Sequence, residues 1–293
     1  MDTGNKTAFR ECRFLSEEHF DELYSTFTEA FSDYVFPFEL TETQFRNHII
    51  LTGVDLGRSV GCYSEGKLVG FSLNGFGNWN GCKTVYDAGT GVIPSARRQG
   101  VSEAMFEMML PRFKADGLEQ FLLEVITSNV AAISLYEKLG FEPVRKLTLL
   151  QCDEAVKPAL SQSIDILIKE MFEPDREHLI AFWDGKPSWQ NSNDAMRRSG
   201  TRKRTIGAFV DGQCAGYASF SAKFGRIAQM AVEPSVRNRG IGTLLLQKIF
   251  DLTPTGCSLQ VINLDKSIPG AVDFFRNRGF YERVVQYEMV LSL

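Results

Sequence analysis

Two short loops of this sequence carry arginine and glycine at the same spacing, and an apolar periodic segment follows each. The loops read Arg97, Arg98, Gln99, Gly100, Val101, Ser102 and Arg237, Asn238, Arg239, Gly240, Ile241, Gly242. Glycine lets backbone N–H groups approach a ligand closely, and the first N–H groups of a helix can bind an anion. Successive N–H groups in such a turn form a nest for phosphate. Each loop therefore predicts a phosphate or diphosphate site; a tight turn with solvated arginines is the other interpretation.

The two loops belong to a long internal repeat. Val92 and Val232 begin the matching stretches, 140 residues apart (232 − 92), and Gly140 matches Gly279 at a distance of 139. A period this long indicates two domains of one kind rather than a solenoid. We therefore expect an N-terminal domain over residues 1–152, a linker over residues 153–163 and a C-terminal domain over residues 164–293.

Each repeat predicts the same order of elements. A helical region comes first, then a strand hairpin at a glycine turn, then a strand ending at Val92 or Val232. The loop and an amphipathic helix follow, and then a buried strand, a short helix ending at glycine and a final strand. Gly89 and Gly91 indicate a bulge in the strand before Val92. The predicted fold class is α/β (α+β), with one mixed sheet and flanking helices in each domain.

Composition excludes several classes of protein. The chain has 32 basic and 36 acidic residues, a net charge of −4, and no apolar run of about 18 residues. We therefore expect no broad binding of nucleic acid, no membrane span and no secretory signal. Six cysteines without a Cys-x-x-Cys pair, and three histidines, predict no metal site and reduced thiols in a cytoplasm-like compartment.

The loops and one further segment resemble the GNAT superfamily, the GCN5-related N-acetyltransferases. The loops fit the family's R/Q-x-x-G-x-G/A pattern after a strand ending in V-x-P, and residues 129–141 fit its N-x-x-A-i-x-l-Y-e-k-x-G-F signature. The resemblance covers nearly all of both halves, although the substrate-side helices match only in outline. It implies a splayed sheet, acetyl-CoA between the fourth and fifth strands, and acetyl transfer to a primary amine of a small molecule or peptide.

The resemblance also assigns roles to particular residues. Backbone groups of Val92 and Ile93, and of Val232 in the second half, would meet the cofactor's pantetheine arm and thioester, and Asn129 would contact that arm. The loops at 97–102 and 237–242 would bind the diphosphate. Tyr136 would be the general acid, since a phenol with a pKa of about 10 can protonate a thiolate whose thiol is near 8.5. A core aromatic on an amphipathic helix is the other interpretation of Tyr136.

The acceptor amine must lose a proton before it attacks. Asp87, on the strand that leads to Val92, is the candidate base or water-orienting group. Tyr86 is the alternative, because side chains alternate along a strand and a bulge would change which one faces the gap. An ordinary solvated aspartate also fits the pattern.

The two halves differ where the chemistry would occur. Phe275 stands at the position of Tyr136, and Ile268 stands at the position of Asn129. Phenylalanine has no proton to donate, so we expect the first half to catalyse. The second half would scaffold, shape the pocket or bind the cofactor without turnover; the reverse assignment stays open.

The acceptor pocket is poorly encoded. Five aromatic residues of the first half could line it or could belong to the core: Tyr34, Phe36, Phe38, Phe76 and Trp79. Two further functions are compatible with the pattern. One is a non-catalytic acyl-CoA sensor built from two degenerate domains. The other is an aminoacyl transferase of paired domains, although such proteins usually lack the phosphate loop.

Overall fold

The computed structural model describes residues 10–34, 39–154 and 165–293. Its contacts divide the chain into two units. Unit 1 comprises Met1–Pro143 and Met289–Leu293, and unit 2 comprises Val144–Glu288. Among the residues described, no helix combines the length and the apolar character that crossing a membrane requires.

Unit 1 is a mixed sheet with helices. Its elements are β1 Arg10–Phe14, α1 Phe20–Ala30, α2 Glu42–Thr52, β2 Val60–Ser64, β3 Lys67–Trp79, β4 Cys82–Val92, α3 Val101–Ala115, β5 Gln120–Ile126 and α4 Val130–Lys138. The strands lie in the order β1-β2-β3-β4-β5; β1 to β4 pair antiparallel, and β5 is parallel to β4. Residues Met289–Leu293 also belong to this unit.

Local sequence accounts for the helices of unit 1. Thr41 caps α2, because its hydroxyl accepts the N–H of Gln44 while the Gln44 side chain accepts the N–H of Thr41. Gly140 follows the last turn of α4 in the left-handed region (φ 92°), as a glycine at that position predicts. Buried side chains of α1 and α3, such as Phe27 and Phe106, hold these helices on the sheet.

Unit 2 repeats this plan. Its elements are β6 Glu142–Cys152 (in unit 2 from Val144), β7 Leu167–Glu170, α5 Arg176–Leu179, α6 Asn193–Ser199, β8 Arg204–Val210, β9 Gln213–Ser221, β10 Arg226–Val232, α7 Ile241–Leu252, β11 Leu259–Asp265, α8 Ala271–Arg276 and β12 Tyr281–Ser292. The strand order is β12-β6-β11-β10-β9-β8-β7, and β10 and β11 are parallel.

In each unit, two parallel strands pair over a short segment and then separate. In unit 1, β4 and β5 pair only from Thr84↔Gln120 to Tyr86↔Leu122, although both strands continue. In unit 2, β10 and β11 pair only at Arg226↔Gln260 and Ile227↔Val261. Each unit therefore has a V-shaped gap, and the N–H groups that face the gap have no partner from the neighbouring strand.

A bulge lies at the same place in both repeats. Between β3 and β4 the register skips Ala88, and between β9 and β10 it skips Ala228. The bulge predicted from Gly89 and Gly91 is thereby confirmed. The imidazole Nε2 of His48 lies 2.7 Å from the carbonyl oxygen of Ala88, which ties α2 to the bulge of unit 1.

The mixed α/β class and the tandem arrangement predicted from the sequence are confirmed. One feature that the sequence does not reveal is the position of β6, the predicted final strand of the first repeat. From Val144 onward β6 lies in unit 2, next to β11. Alternation and glycine turns define where strands are, but strand partners depend on tertiary packing.

The predicted linker lies mostly outside the described residues, which resume at residue 165. Asp153, at its start, is held in unit 2. Its carboxylate accepts hydrogen bonds from Ser258 Oγ at 2.5 Å and Tyr281 Oη at 2.6 Å. The domain limits at 152 and 164 stay a prediction.

Candidate active site

The two predicted anion loops have almost the same backbone. In the first, Arg98 (φ 58°) and Gly100 (φ 78°, ψ 9°) are left-handed; in the second, Asn238 (φ 62°) and Gly240 (φ 86°, ψ −7°) are left-handed. Each glycine directly precedes a helix, α3 or α7, whose first N–H groups have no partner within the helix. Alternating conformations of this kind turn successive N–H groups toward one point, and the helix dipole favours an anion there. Both loops therefore fit the diphosphate of an acyl-CoA.

The first arginine of each loop makes contacts within the protein, and its role toward a cofactor stays a prediction. Arg97 Nε donates to the carbonyl oxygen of Val92 at 3.1 Å, and its guanidinium pairs with Asp33. Arg237 repeats this with the carbonyl oxygen of Val232 at 3.0 Å and with Asp184. The aspartates come from segments remote in sequence, so the motif does not reveal them. Arg97 and Arg237 thus fix the strand end against the loop.

Ile93 and Gly242 are two further positions that the resemblance assigns to cofactor binding. The N–H of Ile93 donates to the carbonyl oxygen of Val69 at 3.0 Å, so it is already used within the sheet. A Cβ at position 242 would come within 2.9 Å of Phe274 Cζ. A side chain at position 242 would therefore displace the ring of Phe274 on α8.

Asp87 and Tyr136 meet at the vertex of the gap in unit 1. Asp87 is the residue directly after Tyr86, where the pairing of β4 with β5 ends. Its carboxylate oxygen Oδ2 lies 3.5 Å from Tyr136 Oη and accepts the Thr90 hydroxyl at 2.8 Å, while Oδ1 accepts the N–H of Gly89 at 2.8 Å. The Tyr136 ring packs edge-on against Phe106 and its hydroxyl reaches the gap. Tyr136 is therefore packed in the core and also contacts Asp87, and its role as general acid stays a prediction.

Burial changes the acidity of both groups. It raises the pKa of Asp87 to about 6, although the hydrogen bonds from Thr90 and Gly89 work in the opposite direction. Burial, and then the charge of Asp87, raise the pKa of Tyr136 well above its usual value. At neutral pH the pair is therefore a carboxylate beside a protonated phenol, which combines a proton acceptor with a proton donor.

The alternative to Asp87 points elsewhere. The Tyr86 hydroxyl donates to the Glu124 carboxylate on β5, and the residue is only 1% exposed. The bulge at Ala88 sets this arrangement, because it interrupts the alternation of side chains.

Asn129 and Tyr34 complete the group around Asp87. Asn129 caps α4, with its side-chain oxygen accepting the N–H of Ala132 at 3.2 Å. Burial raises the pKa of Tyr34 above its usual value, and the charge of Asp87 acts in the same direction. A hydrogen bond with Asn129 opposes this rise only in part. Tyr34 thus lies beside Asp87 and Tyr136.

Among the other aromatic residues predicted to line the acceptor pocket, Phe76 and Trp79 make no described contact with Asp87 or Tyr136. Phe76 packs edge-on against Phe113 and under the guanidinium of Arg58, and Trp79 is 5% exposed at the far end of β3. Phe36 and Phe38 lie outside the described residues.

Unit 2 has a cavity at its own loop and has no counterpart of the contact between Asp87 and Tyr136. The cavity measures about 400 Å³ and extends from the loop into the gap between β10 and β11. Ile227 occupies the position of Asp87 (offset 140), and Phe275 occupies the position of Tyr136; both line the cavity. Trp183 lies at its wall and donates to the Tyr217 hydroxyl at 2.6 Å. The vertex of this cavity, at Ile227 and Phe275, is apolar.

Comparison with known proteins assigns the chain to a family. The profile of the acetyltransferase (GNAT) family matches residues 17–141 and 151–280. The chain therefore belongs to the acetyltransferase (GNAT) family, and it carries the family's domain twice.

Individual relatives give partial matches in sequence and full matches in fold. The ribosomal protein bS18-alanine N-acetyltransferase of Escherichia coli K12 is 35% identical over 81 residues, 26% of this chain and 49% of that protein. The chain thus spans about half the length of this relative. A GCN5-related N-acetyltransferase from Sphaerobacter thermophilus superposes with a TM-score of 0.74 at 16% identity, over 97% of this chain and 95% of that one. A tandem GNAT protein from the clavulanic acid biosynthesis pathway gives 0.72 at 15% identity, over 97% and 98%. At this identity the two structures show the fold.

Proposed function

We propose that the protein transfers acetyl from acetyl-CoA to a primary amine of a small molecule or peptide, and that unit 1 carries out the transfer. The contact between Asp87 and Tyr136 at the vertex of the gap carries this proposal. The gap continues toward the loop at residues 97–102, so one extended ligand can reach both. The E. coli relative acetylates the alanine of a ribosomal protein, which supports a peptide amine as one acceptor class.

The residues of unit 1 would divide the work as follows. Acetyl-CoA supplies a thioester carbon that an amine can attack. N–H groups in the loop, around Arg98 and Gly100, hold the diphosphate, and N–H groups of β4 beyond Tyr86 face the developing negative charge on oxygen. Asp87 accepts the proton that the amine releases. Tyr136 donates its phenolic proton to the departing sulfur, and the proton on Asp87 then restores the phenol.

The two proton transfers need to be coupled because the pKa of Tyr136 is raised. A phenol with a raised pKa is a weak acid toward a thiolate, and a free phenolate beside the Asp87 carboxylate would be unfavourable. If Asp87 carries a proton when Tyr136 donates, that phenolate does not persist. The 3.5 Å separation of Asp87 Oδ2 and Tyr136 Oη is within reach of such a proton exchange.

Unit 2 would bind acyl-CoA at residues 237–242 without efficient turnover. Its loop has the same backbone, and its cavity extends into the gap. Ile227 and Phe275 offer neither a proton acceptor nor a donor there.

We place the acetyl transfer in a cytoplasm-like compartment, following the cysteine pattern of the sequence.

An activity screen tests the proposed function. The full chain is incubated with acetyl-CoA and a panel of amines comprising amino-terminal peptides, polyamines and amino sugars, and the released CoA thiol is measured together with the mass of the acceptor. We expect at least one acceptor to gain an acetyl group. Binding of acetyl-CoA by calorimetry without acetylation of any acceptor would favour a sensor, and binding of aminoacyl-tRNA in its place would favour aminoacyl transfer.

The rate should also depend on the ionisation of Asp87. We expect kcat to rise as pH increases through about 6, because Asp87 accepts a proton only when it is ionised. Asp87→Asn should lose this limb and fall in kcat by about 10²-fold. Thermal unfolding at each pH excludes denaturation as the cause. A limb near pH 6 that persists in Asp87→Asn would assign the proton acceptor to another group.

A further inference from the structure

Four basic side chains of unit 2 lie in one region, away from the anion loop. β9 pairs Phe220 with Arg204 and Ser221 with Arg226, so Lys203, just before Arg204, lies two strands from Arg226, or about 10 Å. The amide of Asn193 in α6 donates to the carbonyl oxygen of Arg176, which joins α6 to α5. Arg176 begins α5, Arg198 lies in α6, Lys203 precedes β8 and Arg226 begins β10. Burial, together with the positive charges of the three arginines, lowers the pKa of Lys203 to about 8. We call these four residues the cation cluster.

Three members of the cation cluster have no ion pair within the part of the chain that the structure describes. Within residues 165–293, no ion pair joins Arg176, Lys203 or Arg226 to a carboxylate. The nearby carboxylates of Glu177 and Asp194 pair with Arg197 instead.

Arg176 carries a second sign of a missing ligand. Its Nη1 is buried and has no hydrogen-bond partner in the described part of the chain. A buried charged donor without a partner is costly, and like charges held together add to that cost. An anion bound among the four side chains would remove both costs.

The loop at residues 237–242 cannot supply that anion. Arg226 and Val232 are the two ends of β10, six residues apart (232 − 226), which corresponds to about 20 Å of extended strand. A diphosphate bound beyond Val232 is therefore too far from Arg226 to neutralise the cluster, because charges this far apart are largely screened.

We propose that the cation cluster is a second anion site, which binds an oxyanion of the phosphate class. Guanidinium groups present paired N–H donors that match phosphate oxygens, and a phosphate carries more negative charge than a single carboxylate. The ligand is either inorganic phosphate or the phosphate of a larger molecule. This site is independent of the acetyl transfer proposed for unit 1.

Thermal unfolding tests the site. The full chain is heated in increasing inorganic phosphate, against sodium chloride of equal ionic strength. Wild type should gain Tm in a saturable manner. Lys203→Met should gain little, and without phosphate it should be at least as stable as wild type, because a buried like charge has been removed. Lys248→Met, which removes an exposed lysine of α7, should respond as wild type does.

The same assay distinguishes inorganic phosphate from a phosphate ester as the ligand. It also distinguishes binding at the cation cluster from binding at the two loops. Adenosine monophosphate replaces inorganic phosphate in a parallel series: a larger saturable shift with the ester identifies a phosphate ester as the ligand, and equal shifts identify free phosphate. If Lys203→Met does not fold, Arg226→Gln, at the most exposed member of the cluster, takes its place. A phosphate response of wild-type size in these variants would place the anion at the loops and overturn the proposal, as would the absence of any response in wild type.

Discussion

Replacing Tyr136 with phenylalanine should lower kcat for acetyl transfer by about 10²–10⁴-fold and leave the Kd for acetyl-CoA nearly unchanged. The substitution removes the hydroxyl that lies 3.5 Å from Asp87 Oδ2 and keeps the ring that packs on Phe106 and Phe141. The departing sulfur then has to take its proton from water. Steady-state kinetics with the acceptor found in the screen, together with calorimetric binding of acetyl-CoA, measure the two quantities.

Tyr86→Phe is the matched control for this prediction. It removes a hydroxyl from another buried tyrosine, one residue before Asp87, and that hydroxyl donates to Glu124. Its kcat should stay close to that of wild type once both proteins are shown to be folded. Equal losses in the two variants would mean that Tyr136 acts through packing, and full activity of Tyr136→Phe would remove it from the mechanism.

Aspartate substitutions in the two loops should have unequal effects. Gly100→Asp places a carboxylate where the diphosphate of the reacting acetyl-CoA would lie, and it strains a left-handed position (φ 78°). We expect kcat/KM to fall on the order of 10²-fold, which corresponds to about 3 kcal/mol. Gly240→Asp makes the same change at φ 86° in unit 2 and should leave kcat within a few-fold of wild type.

Calorimetry and a third glycine complete this comparison. Gly240→Asp should lose one of two acetyl-CoA equivalents, because only the loop of unit 2 is changed. Gly117→Asp controls for strain, since Gly117 is also left-handed (φ 72°) and exposed, with open space around its Cβ position. A collapse of turnover in Gly240→Asp with retention in Gly100→Asp would move the chemistry to unit 2.

Features that depend on neighbouring residues could be predicted from this sequence. The loops, their helices and the bulge follow from glycine, proline and apolar spacing within about ten residues, and the structure repeats them in both units. The pair of Asp87 and Tyr136 was within reach only through the resemblance, because strand parity left Tyr86 open until the bulge was located at Ala88.

Features that depend on distant residues could not be predicted. The guanidinium of Arg97 pairs with Asp33, 64 residues earlier in the sequence, and no local pattern reveals that partner. The last strand of the first repeat lies in unit 2, and no local pattern distinguishes that partner from another. The cation cluster joins four side chains scattered over residues 176–226, so it is invisible as a motif.

A crystal structure of the full chain soaked with coenzyme A would test the central claim most directly. The account predicts a diphosphate on the backbone N–H groups between Arg98 and Ser102, with the thiol beside the Tyr136 hydroxyl. Coenzyme A bound only at residues 237–242, with its sulfur against Ile227 and Phe275 and a bare loop at 97–102, would contradict it.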